Sequence, residues 1–262
     1  MRFFKMEAFA VQQWKKDNLL IKKYDTRAEM GAAAAKDAED VISRIIAEKG
    51  QINVIFAAAP SQNEMLAGLL SSEKIDWSKV NALHMDEYVG LPVGDSHTFG
   101  AYLNDHIFRH KTFQSVHYIG SGDPNEVCAR YTKILEEYPV DVVCLGIGEN
   151  GHIAFNDPWV ANFNDSKPVK IVELDQMCRQ QQVNDGCFPN LDAVPTHAVT
   201  LTIPALTAAK YMFCVVPGAT KTNAVTNTVE GPITVDCPAS VMRNHSGAIL
   251  YCDADSGKNV GA

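Results

Sequence analysis

The chain has 262 residues, 46% hydrophobic and 21% charged, which is enough apolar material for one large domain with a substantial core. A formal net charge of −8 argues against a general nucleic-acid or membrane-surface binder, while still allowing a local basic pocket for a phosphate. The seven cysteines are scattered and never spaced CxxC, which suits a reduced cytoplasmic protein with buried thiols and not a disulfide framework.

The opening stretch MRFFKMEAFAVQQWKKDNLL does not read as a secretory signal. Its apolar run is broken by Lys5, Glu7 and the Gln12–Gln13 pair, and no small-residue cleavage site follows. No run approaches the roughly 18 apolar residues that a membrane span requires. TRAEMGAAAAKDAEDVISRIIAEKG opens with a capping-type Thr26, is alanine-rich at helical spacing and stops at Gly50, so it predicts a helix. INVIFAAA reads as a buried strand, and SQNEMLAGLLSS as a helix starting at Ser61. VNALHMD is a second strand, followed by a helix over TFGAYLNDHIFRH and another over PNEVCARYTKILEEY. VDVVCLGIG is a strand without alternation, and HAVTLTIPALTAA, KYMFCVVPG and AILYCDAD carry further strands.

Apolar strands without period-2 alternation, separated by helices, predict an α/β fold. The expected form is a three-layer, Rossmann-like domain over residues 1–262, its mainly parallel sheet covered by helices on both faces. Ligands of such sheets bind beyond the carboxyl ends of the strands. The loops APSQN, MDEYVGL, GENGHIAFNDP and GATK all follow strands there, so four separate segments could converge on one pocket.

Each loop has a plain reading and a chemical one. Asp86 and Glu87 could be solvated acids at a strand end. A partly buried carboxylate could instead abstract a proton next to a carbonyl. His152, in GIGENGHIAFNDP, could simply bond a backbone carbonyl. With Asn150 and Asp157 in the same loop it could also exchange a proton near neutral pH. Ser61, Gln62 and Asn63 begin a helix, where free N–H groups favour anions, although an ordinary cap by Ser61 explains the same letters. Lys221 is either a surface charge or a phosphate partner. His106 and His110 stand four apart on a helix as a metal pair would, but no HExxH pattern or third ligand accompanies them, so no metal is expected. Neither GxGxxG nor a Walker-type loop is present, so no nucleotide cofactor is expected.

Taken together these residues resemble the glucosamine-6-phosphate deaminase (isomerase) family. MDEYVGLP and GIGENGHIAFNDP look like its two signatures, and AAPSQN, HAVTLTIPAL, GATKTNAV and VEGPITVDCPAS extend the likeness over most of residues 30–255. The resemblance implies an aldose–ketose isomerisation coupled to loss of the amino group, with neither metal nor organic cofactor. It implies that Asp86 moves a proton between C1 and C2 and that His152 exchanges a proton at the ring oxygen. Asp157 would help hold the histidine, Lys221 would contact the phosphate, and Ser61 to Asn63 would form the phosphate loop. The implied partner is a small sugar phosphate, with no nucleic acid or membrane, and a homo-oligomer is left open.

The sequence also departs from the family pattern. Asn150 stands where many members carry an aspartate that pairs with the histidine, and Asp157 is one methylene shorter than the usual glutamate. PSQN lacks the usual glycine pair. A phosphate-site arginine falls near Gln182, with Arg179 one helical turn earlier as a substitute. From this pattern Asp157→Asn is expected to be severely damaging and Asn150→Asp to be tolerated. The alternatives are a 6-phosphogluconolactonase-like hydrolase, which should lack the MDEYVGL loop and the AFN continuation, and a non-catalytic sugar-phosphate sensor, which has no need of an Asp86–His152 pair.

Overall fold

A computed structural model describes residues 10–261. Its centre is an eight-stranded sheet in the order β1(Gln12–Lys16), β2(Leu19–Lys23), β11(Ala248–Cys252), β10(Tyr211–Val216), β7(Val142–Leu145), β3(Ile52–Phe56), β4(Val80–His84), β6(Ser115–His117). Every pairing in it is parallel except the β1–β2 hairpin at one edge. Strands β3 and β4 are buried at all five positions and β7 at all four, because helices cover both faces. Two apolar clusters result. One packs α1(Arg27–Lys49) and α2(Asn63–Leu70) around Phe56, Val142 and Phe213. The other gathers Leu83, Leu145, Leu250 and Tyr131 of α4(Pro124–Glu137) with Val225 of α7(Thr222–Glu230).

Helix α1 forms as its sequence predicts. Thr26 Oγ1 accepts from Glu29 N while the Glu29 carboxylate accepts from Thr26 N, a reciprocal cap, and Gly50 at φ 82° ends the helix. Met30, Ala34, Ala38, Ile42 and Ile45 form its buried stripe. Gly31 and Gly68 bring α1 and α2 into close approach. A Cβ on Gly31 would lie 2.3 Å from Glu64 Cβ, and one on Gly68 would lie 2.5 Å from Ala35 Cβ.

Three expectations need correction. HAVTLTIPALTAA adds nothing to the main sheet. β9(His197–Leu201) pairs antiparallel with β5(Asp86–Tyr88) and β8(Val169–Glu173) in a separate three-stranded sheet, and Pro204 then starts the short α6(Ile203–Thr207). VNALHMD is not one strand. The chain leaves the main sheet after His84, and Asp86 opens β5 of the second sheet. The buried His84 ring fixes that departure. Its Nε2 accepts from Ile119 N–H at 2.8 Å, so Nδ1 carries the proton and donates to Asp86 C=O at 3.0 Å. Finally, α3(Phe99–His106) stops before Ile107, whose φ of −146° breaks the helix, and Phe108–His110 form a separate 3₁₀ turn. The β1–β2 hairpin was not anticipated. It turns at Asp17 with φ 52°, a conformation that Asp and Asn tolerate better than most residues.

Candidate active site

A cleft of about 310 Å³ lies beyond the carboxyl ends of β3, β4, β7 and β10. All four suspected loops reach it, contributing Ser61, Asp86, His152 and Lys221. Four chain crossings of a twisted parallel sheet thus bring together residues up to 160 positions apart in sequence (61 to 221).

The two carboxylates of the MDEY loop go opposite ways. Asp86 faces the cleft and is only 7% exposed. Burial raises its pKa well above the usual carboxylate value, and the neighbouring charge of Glu87 adds to the shift. Glu87 turns away. Its carboxylate accepts from the N–H groups of Tyr88, Phe99 and Gly100 at 3.0, 3.0 and 2.9 Å and so caps the first turn of α3.

The glycine-rich turn answers to the histidine ring. A Cβ on Gly148 would fall 2.1–2.4 Å from three atoms of the His152 imidazole, so the ring lies directly over that glycine. Gly151 takes φ 88°, and Ala154, which lines the cleft, sits at φ 48°, a strained conformation for alanine. His152 Nδ1 lies 2.9 Å from Asp157 Oδ1, an ion-pair approach that is not well aligned as a hydrogen bond. Asp157 is fully buried. Burial would raise its pKa, but His152, the Asn150 amide and Asp175 N–H together hold it below the usual value.

Asn150 has a different part from the one its position suggests. It does not pair with the imidazole. Its Oδ1 accepts from the backbone N–H of His152 at 3.0 Å, and its Nδ2 donates to Asp157 Oδ1 at 2.9 Å and to Asp175 Oδ2 at 3.0 Å. The amide therefore stands between two carboxylates, behind the histidine and outside the cleft wall.

The anion end also differs from the sequence reading. Of Ser61, Gln62 and Asn63, only Ser61 lines the cleft. Gln62 is fully buried and donates to Ser61 Oγ and Val215 O, and Asn63 Oδ1 accepts from the Tyr102 hydroxyl. Arg179 is not at the site. Its guanidinium donates to Leu191 O at 2.7 Å and Val194 O at 2.9 Å and ties down the loop that follows α5(Gln176–Asn184). Arg179→Ala is accordingly expected to lower the melting temperature while leaving the substrate KM within about twofold. A tenfold rise in KM without loss of stability would restore Arg179 to the site.

Lys221 is where the sequence puts it. It is only 6% exposed, and its ammonium makes no hydrogen bond or ion pair among the described residues. Burial lowers its pKa, with Asp185 and Glu149 pulling the other way. Gln182, at the position of the expected arginine, lines the cleft as an amide. The missed lining residues with charged or amide side chains are Arg27, Gln181 and Asp185. Gln181 accepts from Glu149 N at 2.8 Å and donates to Asp185 at 3.2 Å. The lone sequence hint for this group was the polar run CRQQQV; nothing local marks Arg27.

The histidine pair on α3 is spent on backbone, His106 Nδ1 on Tyr102 O and His110 Nε2 on Asp105 O, both at 2.8 Å. Among the described residues the His/Cys/Asp/Glu group close enough to share an ion is His152, Asp157 and Cys178. Burial and then Asp157 push the Cys178 thiol well up, so a protonated sulfur sits beside that carboxylate.

The chain is similar to known proteins over most of its length. A family profile described as glucosamine-6-phosphate isomerases/6-phosphogluconolactonase matches residues 25–251. A glucosamine-6-phosphate deaminase of Listeria monocytogenes is 34% identical over 227 residues, 86% of this chain and 94% of its own. One of Bacillus cereus is 34% identical over 243 residues, 91% and 87% of the two chains. Among solved structures, a monomeric glucosamine-6-phosphate deaminase superposes with a TM-score of 0.82 at 27% identity, covering 91% of this chain and 98% of its own. A 6-phosphogluconolactonase of Thermotoga maritima shares the fold, with a TM-score of 0.72 at 19% identity over 90% of this chain and 99% of its own. The chain therefore belongs to the glucosamine-6-phosphate isomerase/6-phosphogluconolactonase family.

Proposed function

We propose that the protein converts an amino-sugar 6-phosphate, glucosamine 6-phosphate or a close epimer, to fructose 6-phosphate and ammonia. The observation that carries this reading is the buried Asp86 carboxylate facing the same cleft as His152 and Lys221. Its raised pKa suits a base working near neutral pH, where a solvated carboxylate would be a weak acceptor. His152, held from behind by Asp157, moves a proton between the anomeric hydroxyl and the ring oxygen, which opens the ring. Asp86 then takes the proton from C2 and returns it at C1 through an enediol-type intermediate. Water supplies the ketose oxygen as ammonia leaves. Lys221 holds the phosphate, with Ser61 beside it.

A lactonase needs no base that shuttles a proton between adjacent carbons, so Asp86 would have no task there. The seven thiols, all free, fit a reducing compartment such as the cytoplasm, and among the described residues no helix is long and apolar enough to cross a membrane. The test offers glucosamine 6-phosphate, galactosamine 6-phosphate and 6-phosphogluconolactone separately. Ammonia and ketose phosphate should appear in equal amounts from one amino sugar. Acid release from the lactone with no ammonia from either amino sugar overturns the reading.

A further inference from the structure

Resting on that reading of the cleft, we infer that Arg27 is the second cation of its phosphate grip, filling the task that the sequence pattern leaves to Gln182. Besides His152 the cleft is lined by two cationic side chains, Lys221 and Arg27, and they come from opposite ends of the chain. Arg27 is the first residue of α1, whose close approach to α2 at Gly31 and Gly68 brings it over the β3 loop. Its Nε donates to Glu64 Oε1 at 2.8 Å and its Nη2 to Pro60 O, the residue before Ser61. The Nη1 group makes no hydrogen bond among the described residues, so the fork is oriented by the protein and keeps donors free. That is the state a guanidinium needs to take two oxygens of a phosphate at little entropic cost.

The second feature is Lys221, a cation 94% buried (6% exposed) with no protein partner. A buried ammonium is stable only beside an anion, and a phosphate between Lys221 and Arg27 supplies one. Asp185, also on the cleft wall, offsets part of that positive charge, so one cation alone would leave the grip weak. Glu64 is the anchor in this arrangement: it positions Arg27 and does not line the cleft.

The test separates a ligand group from a loop brace. Inorganic phosphate binding is titrated directly to the full chain, and sugar-phosphate kinetics are measured alongside, for Arg27→Met, Arg27→Lys and Glu64→Gln. Loss of a charge-assisted contact should weaken phosphate binding and raise KM about 10- to 100-fold in Arg27→Met, with kcat within about threefold. Arg27→Lys keeps the charge but not the fork and should lie between, which keeps the test decisive if the methionine variant folds poorly. Glu64→Gln keeps the guanidinium but loosens its anchor, so phosphate binding should weaken clearly less than in Arg27→Met. Equal damage from Glu64→Gln and Arg27→Met makes Arg27 a brace of the loop and overturns the inference, as does unchanged phosphate affinity in Arg27→Met and Arg27→Lys. Arg27-dependent phosphate binding without ammonia release would leave this inference standing and remove the deaminase reading. Deamination indifferent to Arg27 would do the reverse.

Discussion

Asp86→Asn is expected to reduce kcat by roughly 10²- to 10⁴-fold, the usual contribution of a general base, while sugar-phosphate binding stays largely intact. The amide has nearly the same shape but cannot accept the C2 proton. The same substitution should raise the melting temperature at neutral pH. The carboxyl has its pKa raised on folding, so between the ordinary carboxylate pKa and the raised value the folded protein binds more protons than the unfolded one. Stability from this group is therefore full at low pH and falls as pH rises through that window. Removing the charge removes that loss. In the parent, kcat/KM should rise with pH along an acid limb lying above the range of a solvated carboxylate. A variant that keeps more than about half the activity would place the base elsewhere. A variant less stable than the parent at pH 7 would show that Asp86 is not held desolvated.

Asn150→Asp, tolerated on the sequence pattern alone, is expected to be severely damaging. The amide donates to both Asp157 and Asp175, and a carboxylate in its place would meet two others at about 3 Å. Two hydrogen bonds to charged acceptors, each worth roughly 1.5–3 kcal/mol, give way to repulsion. One member of the cluster must then take up a proton or the turn under His152 must shift. Its pKa is thereby raised on folding, so the stability deficit against the parent should be small near pH 4 and grow as pH increases. Thermal melts from pH 4 to 8 and kcat over the same range check this. Parent-like activity with a parallel melting profile would mean that Asn150 does not bridge the two carboxylates in solution.

The parallel order of the main sheet was legible because β3, β4 and β7 are mostly apolar runs without alternation, and α1, α3 and α4 open on the capping residues Thr26, Thr98 and Asp123. The converging loops were legible because any parallel sheet collects them at one edge. The second sheet was not. β9 is as apolar as its neighbours, and what diverts it is a tertiary pairing with Asp86–Tyr88 that leaves no local mark. Asp86, His152, Ser61 and Lys221 could be named from their motifs. Gln62, Asn63 and Arg179 were misplaced for a common reason: a polar letter next to a site says nothing about where its side chain turns. Arg27 was invisible because it reaches the cleft through helix packing at Gly31, 37 residues away in sequence from the Glu64 that orients it.

The small sheet also determines how the cleft can deform. In β9, Thr200 lies opposite Asp86 in the register and accepts from Phe155 N–H at 3.1 Å, while Leu201 N–H donates to Met85 O at 2.8 Å. Asn156 joins the same strand through Leu201 O at 2.8 Å. One short strand thus laces Asp86 to the histidine turn, in addition to the links both keep to the eight-stranded sheet. Arg27, at the start of α1, and Lys221, just before α7, are carried by other elements. Substitutions in β9 are therefore expected to disturb the placing of Asp86 and His152 before they disturb the two cations, so that turnover and affinity are open to separate tuning.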